Sequence, residues 1–336
     1  MTESVSVEDA RVETAAGAEV IDLSVVIITW NSGPWITRCL ESLPAAVGAV
    51  SWEAIVVDNA SADDTVQRIS DHGELEVRLI RNDSNAGFAA AVNTALQSAR
   101  GRYILLLNPD SVPDAGSIDT LISHLESEPS LAGAAPLLLG EDGVPQAAFQ
   151  LRRLPTLRTL IAEILLLNRL FPKNRLHAHH PYSRIDLDGE VVEIEQPAAA
   201  ALLLRSEVVG RVGPFDERFQ PAWFEDVDYC RRLVEHGERL VLVPGSRVVH
   251  RGAASLDTMG LQAFLPIWYR NLYLYAEKWM SPASSQFVRW MIVAGMILRL
   301  AAISVGLNTM SLERKGAVAA HKRVLKEAFR GWKTSS

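Results

Sequence analysis

Two cysteines in 336 residues, Cys39 and Cys230, are too few for a disulfide framework or a cysteine-based metal cluster, and both fall in segments with helical spacing. Glycine is present at ordinary abundance, but no two of the 21 glycines are separated by a single residue, and no Gly-Lys-Ser/Thr triplet occurs. A G-x-G-x-x-G dinucleotide fingerprint and a phosphate-binding P-loop are therefore both excluded. Net positive charge is also lacking: the formal charge is −7, which argues against nucleic acid as a partner. The first twenty residues have neither the basic start nor the apolar centre of a signal peptide. They are small, acidic and without periodicity, and are expected to form a disordered arm. No uncharged apolar run reaches the roughly 18 residues of a membrane span. The nearest, "VRWMIVAGMILRLAAISVGL", is interrupted by Arg289 and Arg299, so an interfacial or buried helix is expected there.

What is present is a regular alternation. "DLSVVIIT", "WEAIVVDNAS", "LEVRLIRN" and "RYILLLNPD" read as short buried strands, and helical segments follow the first three from about Pro34, Ser61 and Gly87. Strand–helix alternation implies a mostly parallel sheet with helices on both faces. Polar residues gather at the carboxyl ends of the strands, at Thr29–Asn31, Asp58–Ser61, Asn82–Gly87 and Asn108–Asp110. In open α/β sheets that edge is where ligands bind. Beyond Asp110, "SIDTLISHLESEP" predicts a helix, while "LAGAAPLLL" and "VPQAAFQL" predict sheet-edge strands. "RLVLVPGSRVVHRGAAS" predicts a strand pair ending in His250, and "GEVVEIEQPAAAALLLRSEVVGRVG" a strand and a short helix. From Thr258 onward the pattern is helical, ending in a segment with seven Lys/Arg against two Glu from Ser311 to Ser336.

Two short motifs can carry chemistry. "WFEDVDYCRR" sets Glu225, Asp226 and Asp228 beside Trp223, Phe224 and Tyr229. Acids next to aromatic rings are costly to desolvate without a cation, a metal or a proton in transit. The same acids also suit the first turn of a helix, where free N–H groups and the macrodipole favour negative charge. "LLLNPD" fixes Asp110 just past a buried strand, behind Pro109, a placement that suits a hard divalent cation and equally suits a turn. Taken singly, both motifs stay open.

Their order narrows the reading. "SVVIITWN", "VVDNASADDT", "NDSNAGFAAAVN", "LLLNPD", "FDERFQPAWFEDVDYCRR" and "RVVHRGAAS" in succession resemble the family 2 glycosyltransferases of the GT-A fold, especially bacterial rhamnosyltransferases of cell-surface polysaccharide synthesis. The resemblance runs from about Leu23 to Ser255 and more loosely through "WYRNLYLYAEKW". It implies a GT-A-like nucleotide-sugar-binding domain over 21–257, with a donor half (21–115) and an acceptor half (116–257), and a helical appendage over 258–336. Asp110 would hold a divalent cation, Mg²⁺ or Mn²⁺, together with the sugar diphosphate, and His250 would be a second metal ligand. Asn108 stands where other members carry an acid, which removes one ligand. Thr29, Trp30 and Asp58 would bind the nucleotide base, and Asn85 and Gly87 would sit near the ribose and diphosphate. Asp226 would be the general base, with Trp223, Phe224, Glu225 and Asp228 toward the acceptor.

The activity so implied is inverting, metal-dependent transfer from a nucleoside diphosphate sugar, favoured as deoxythymidine-diphosphate rhamnose, to a hydroxyl of a glycan or polyprenyl-linked acceptor. A catalytically silent nucleotide-sugar-binding subunit of a polysaccharide assembly complex is the alternative. A cytoplasmic enzyme held peripherally at an anionic inner membrane surface is expected, using the stretch from Leu151 to Arg175, the interrupted apolar helix and the basic tail; homo-oligomers are a further expectation.

Overall fold

The computed structural model describes residues 21–73, 75–167, 171, 189–252, 259–306 and 314–332. The acidic arm, much of the basic segment between 168 and 188, and the last four residues lie outside the described residues. The first half of the chain folds as its periodicity requires. Strand β1 (Leu23–Thr29) is buried along its whole length, and β2 (Trp52–Asp58), β3 (Val77–Arg81) and β4 (Tyr103–Leu107) lie parallel to it in the order β3-β2-β1-β4. Continuous Val/Ile/Leu runs are what strands covered on both faces need. Helices α1 (Gly33–Val47) and α2 (Thr65–Asp71) and the alanine-rich α3 (Phe88–Leu96) connect them. In α3, Ala89, Ala91 and Ala95 are buried, and their small side chains let the helix lie close to the sheet.

Past β4 the topology turns mixed. A short β5 (Ser111–Pro113) and helix α4 (Ser117–Ser127) lead into β6 (Leu131–Leu139). "LAGAAPLLL" is therefore not at the sheet edge. It lies between β10 (Ala201–Arg205), antiparallel to it, and β11 (Arg239–His250), parallel to it. Its lack of any polar side chain is the physical reason, since both faces are covered. Gly133 allows the close approach: a Cβ there would stand 2.4 Å from the Leu203 carbonyl.

"VPQAAFQL" also departs from expectation. It forms one helical turn, α5 (Ala147–Gln150), and the two-residue β7 (Leu151–Arg152), which pairs with β9 (Gln196–Pro197) in a separate ribbon. The expected strand pair before His250 is a single 12-residue strand, β11, with its register shifted between Val243 and Arg247. Pro244 and Gly245 fall inside that shift, where a missing amide and a missing side chain weaken the ladder. β8 (Val192–Ile194) and β5 pair antiparallel with opposite ends of β11.

Helices α6 (Leu157–Ile164), α7 (Ser206–Val212) and α8 (Glu225–Glu235) complete the sheet-bearing part. The C-terminal helices α9 (Leu261–Trp279), α10 (Pro282–Ser304) and α11 (Arg314–Arg330) follow. Two apolar clusters fill the two faces of the sheet, and a third joins α6 and the α8 turn to α9, α10 and α11. Helix α10 is long and apolar enough to cross a membrane by length and composition, while burying a third of its most apolar stretch inside the protein.

Candidate active site

The sheet topology assembles the site. Pairing of Thr29 with Asp58 brings the carboxyl ends of β1 and β2 level. Antiparallel pairing of Ser111 with His250 brings the distant end of β11 next to the turn after β4. At this edge lies a cavity of about 390 Å³. Thr29, Trp30, Asn85, Asn108, Asp110 and His250 line it, joined by Trp223 from the acidic motif. Asn31 and Asn59, from the polar strand ends, also line it, and so do Ser32, Phe88, Phe149, Pro221 and Phe264, which were not singled out in the sequence.

Asp110 and His250 form a pair, both buried, with the imidazole Nε2 3.6 Å from the carboxylate Oδ1. The other ring nitrogen fixes the tautomer. Gln146 donates its amide N–H to the His250 carbonyl at 2.6 Å, which leaves its own carbonyl oxygen facing His250 Nδ1 at 2.9 Å. Nδ1 must therefore carry the proton, and the Nε2 lone pair faces the Asp110 side. Burial pushes the His250 pKa down, with Asp110 opposing it, so the ring is neutral at physiological pH. Phe149 stacks on the ring, with centroids 5.3 Å apart. A neutral imidazole held by an outer hydrogen bond and a carboxylate, opening on one cavity, are a donor set that fits a divalent cation. No group of three or more His, Cys, Asp or Glu occurs among the described residues. A cation here would accordingly draw its other ligands from substrate oxygens and water.

Asp58 and Gly87 serve the cavity from behind. Asp58 is buried and lines neither this cavity nor the second one. Its carboxylate accepts from the Thr29 hydroxyl at 3.1 Å and from the backbone N–H and hydroxyl of Ser61. Gly87 precedes α3 at φ 87°, and a Cβ on it would meet the Pro221 carbonyl at 3.0 Å. That carbonyl accepts the Phe88 N–H at 2.7 Å, which ties the first turn of α3 to the chain leading into the acidic motif. The Asn85 side-chain Oδ1 accepts from the Gly87 N–H at 2.9 Å.

A second cavity of about 180 Å³ adjoins the first, and Phe149 and Trp223 line both. Asp226 opens on it, together with Arg152, Arg153, Thr159, Glu163, Gln196, Phe224 and Trp268. The arginine pair thus contributes to a cavity wall. Asp226 accepts the Val227 N–H at 2.8 Å, and burial raises its pKa against the pull of backbone N–H groups and Arg152. Glu163 is raised as well, by burial, with Arg152 opposing.

The three acids of "EDVD" have separate fates. Glu225 is buried and lines neither cavity. Its Oε2 finds no hydrogen-bond partner among the described residues, and burial with the neighbouring Asp226 pushes its pKa well up. Asp228 is fully buried away from both cavities. Its carboxylate accepts from Lys278 Nζ at 2.9 Å, Trp279 Nε1 at 2.8 Å and Arg232 Nε at 3.2 Å. It fastens α8 to α9 and is not brought to the acceptor side.

The turn that presents Asp226 is held from outside its own segment. Trp223 and Phe224 both have left-handed backbones, at φ 75° and 74°, a conformation costing such residues roughly 1–2 kcal/mol each. The buried Asn271 of α9 donates to the carbonyls of Ala222 at 2.9 Å and Trp223 at 3.0 Å, while Arg270 donates to those of Gln220 and Arg218. Phe224 packs edge-on against Trp268 and beside Tyr275.

The chain is similar to proteins of known family. Residues 24–164 match the family described as Glycosyl transferase family 2. An N-acetylglucosaminyl-diphospho-decaprenol L-rhamnosyltransferase of Mycobacterium tuberculosis is 27% identical over 299 residues, covering 82% of this chain and 91% of that protein. A pre-mycofactocin glycosyltransferase of the same organism is 29% identical over 72% of this chain and 46% of its own length. Among solved structures, a mannosyltransferase from Pyrobaculum calidifontis in complex with GDP-Man and Mn²⁺ superposes with a TM-score of 0.55 at 15% identity, covering 94% of this chain and 88% of that one. S. aureus TarS 1–349 in complex with UDP-GlcNAc gives 0.53 at 16% identity over 92% of each chain. At these identities the structural likeness concerns the fold alone, which is GT-A. Residues 24–164 thus carry a family 2 glycosyltransferase domain, and over most of its length the chain resembles a rhamnosyltransferase.

Proposed function

We propose that the larger cavity holds a nucleoside diphosphate sugar, favoured as deoxythymidine-diphosphate rhamnose, and that the smaller one holds a sugar carried on a polyprenyl diphosphate. The observation that carries this reading is the shared wall. Phe149 and Trp223 stand between an Asp110–His250 pair and an Asp226 carboxylate, so that the two ends of a single displacement are supplied from two cavities. The M. tuberculosis relative, named for a polyprenyl-linked N-acetylglucosamine acceptor and rhamnose transfer, supports the substrate classes.

Asp226 accepts the proton of the acceptor hydroxyl as its oxygen bonds to the anomeric carbon and the bond to the diphosphate breaks. Attack from the face opposite the leaving group gives inversion. The raised pKa of Asp226 suits a base that must be ionised yet hold a proton briefly. Asp110 and His250 would hold a divalent cation, which, when bound, offsets the charge growing on the departing diphosphate. Thr29, Trp30, Asn31, Asn59 and Asn85 would place the nucleoside, with Asp58 fixing Thr29 from behind. Phe224 and Trp268 offer apolar faces to the acceptor sugar, and Arg152 and Arg153 offer guanidinium groups to its phosphate. An acceptor on a lipid carrier implies work beside a membrane in envelope polysaccharide synthesis.

The test is a thermal-shift panel of nucleoside diphosphate sugars with and without Mn²⁺, followed by transfer to a short-chain prenyl-diphosphate N-acetylglucosamine. Selective, Mn²⁺-dependent stabilisation by one donor and transfer from that donor are expected. Donor binding without transfer to any glycan would favour a silent binding subunit. Absence of stabilisation by every donor would overturn the reading.

A further inference from the structure

Helices α10 and α11 leave an unpartnered face of uniform character. Phe287, Trp290, Ile297 and Leu298 recur along one side of α10 and are 45–62% exposed. The opposite side of the helix, with Val288, Ile292 and Met296, is buried in the third apolar cluster. Four large apolar side chains in one exposed stripe are too many to be incidental surface. On the neighbouring α11, Lys315, Lys322 and Lys326 fall on one exposed stripe with Phe329, which is 64% exposed. The two stripes meet where Trp290 and Phe329 pack edge-on with ring centroids 5.9 Å apart. The surface thus has an apolar aromatic strip flanked by lysines on a chain whose formal charge is −7.

We infer that this face of α10 and α11 docks on the surface of an anionic lipid bilayer, inserting the aromatic strip at the headgroup level and placing the lysines against lipid phosphates. Its charge is opposite in sign to that of the whole chain, so an anionic surface selects this corner over the rest of the molecule. Aromatic and aliphatic side chains beside lysine are the composition of an interfacial helix. Crossing the bilayer is disfavoured because the helix would have to give up its buried side, and Arg289 and Arg299 with it. Two copies meeting through this face would bring like-charged lysine stripes together.

The position has a consequence for the reaction. Helix α6 carries Thr159, Leu160 and Glu163 into the acceptor cavity, while its end packs on α10, where a Cβ on Gly295 would stand 3.0 Å from the Ile164 carbonyl. The docking helix therefore lies directly behind the acceptor wall. A lipid-borne acceptor would reach the cavity without leaving the bilayer surface. This purpose rests on the acceptor reading above; the docking itself does not.

The experiment is co-sedimentation of the full chain with phosphatidylcholine vesicles containing about one-quarter phosphatidylglycerol, compared with pure phosphatidylcholine. Light scattering reports the oligomeric state in parallel. Binding to the anionic vesicles at low salt and release at high salt are expected. Trp290→Ser/Leu298→Ser and Lys322→Glu/Lys326→Glu should each weaken binding by about tenfold or more. Both should leave donor-induced thermal stabilisation and transfer to a short-chain acceptor unchanged, which verifies that the variants fold. Failure of the full chain to bind anionic vesicles at low salt would overturn the inference. So would unaltered binding by both variants, or an oligomer that the serine variant dissociates. Vesicle binding with no transfer to any prenyl-linked acceptor would overturn the acceptor reading alone.

Discussion

Asp226 and Asp228 lie two residues apart on one helix, yet substitution should affect them in opposite ways. Asp228 is fully buried and joined to Lys278, Trp279 and Arg232. In Asp228→Asn the amide oxygen can still accept from Trp279, while the charge facing Lys278 and Arg232 is lost. Those cations keep other partners: Lys278 is 2.7 Å from Asp216, and Arg232 donates to the carbonyls of Val212 and Pro214. The loss is then of charged hydrogen bonds rather than of a sole counter-ion, about 2 kcal/mol. Asp228→Ala also leaves the Trp279 N–H without a partner and should cost about 3 kcal/mol or more. At about 2 °C per kcal/mol for a chain this large, thermal midpoints should fall by roughly 4 and 6 °C. Turnover per folded molecule should stay near the parent value in both.

Asp226→Asn should behave the other way. It removes a raised carboxyl from a cavity wall, so stability should be unchanged or slightly higher, while turnover falls about 10²-fold or more with donor affinity kept. Differential scanning fluorimetry and a radiolabelled transfer assay on the same preparations separate the two effects. An Asp228→Asn variant of parent stability with a raised acceptor KM would refute the structural assignment of Asp228. Parent turnover in Asp226→Asn would reduce the acidic motif to a helix terminus.

Further expectations concern the metal pair and the pH profile. His250→Ala and Asp110→Ala should each raise the Mn²⁺ concentration needed for half-maximal activity. Gln146→Ala, which frees the imidazole tautomer, should weaken apparent metal affinity by about 10–100-fold, measured by Mn²⁺ titration of activity. Asp226 must be ionised to act and its pKa is raised, so activity should fall with decreasing pH earlier than for an ordinary carboxylate. Arg152→Ala removes a charge that holds this pKa down, and should move the acid limb of kcat/KM to higher pH; a limb unmoved or moved lower would separate Arg152 from the base.

The linear chain by itself determined the sheet-forming half and the sheet edge at which its polar residues gather. Val/Ile/Leu strands alternating with helical segments dictate a parallel sheet, and the polar ends "TWN", "DNAS" and "NPD" must then gather at one edge, because each strand runs in the same direction. Asp110, His250 and Asp226 were marked by the resemblance that the ordered motifs carry, since each motif alone also suits a turn or a helix terminus. Local pattern misplaced "LAGAAPLLL" and "VPQAAFQL", since short apolar runs carry no period to tell a central strand from an edge or from a helical turn. Tertiary structure alone turned Glu225 and Asp228 away from both cavities and left Asp226 on a cavity wall. Three acids in one turn look equivalent in sequence, but their directions are set by Asn271, Lys278 and Trp279, which lie roughly 50 residues further on. Packing likewise brought Arg152 and Glu163 to the smaller cavity and stood α10 behind its wall. Such groupings depend on which helices meet across the third apolar cluster, and no spacing along the chain records that.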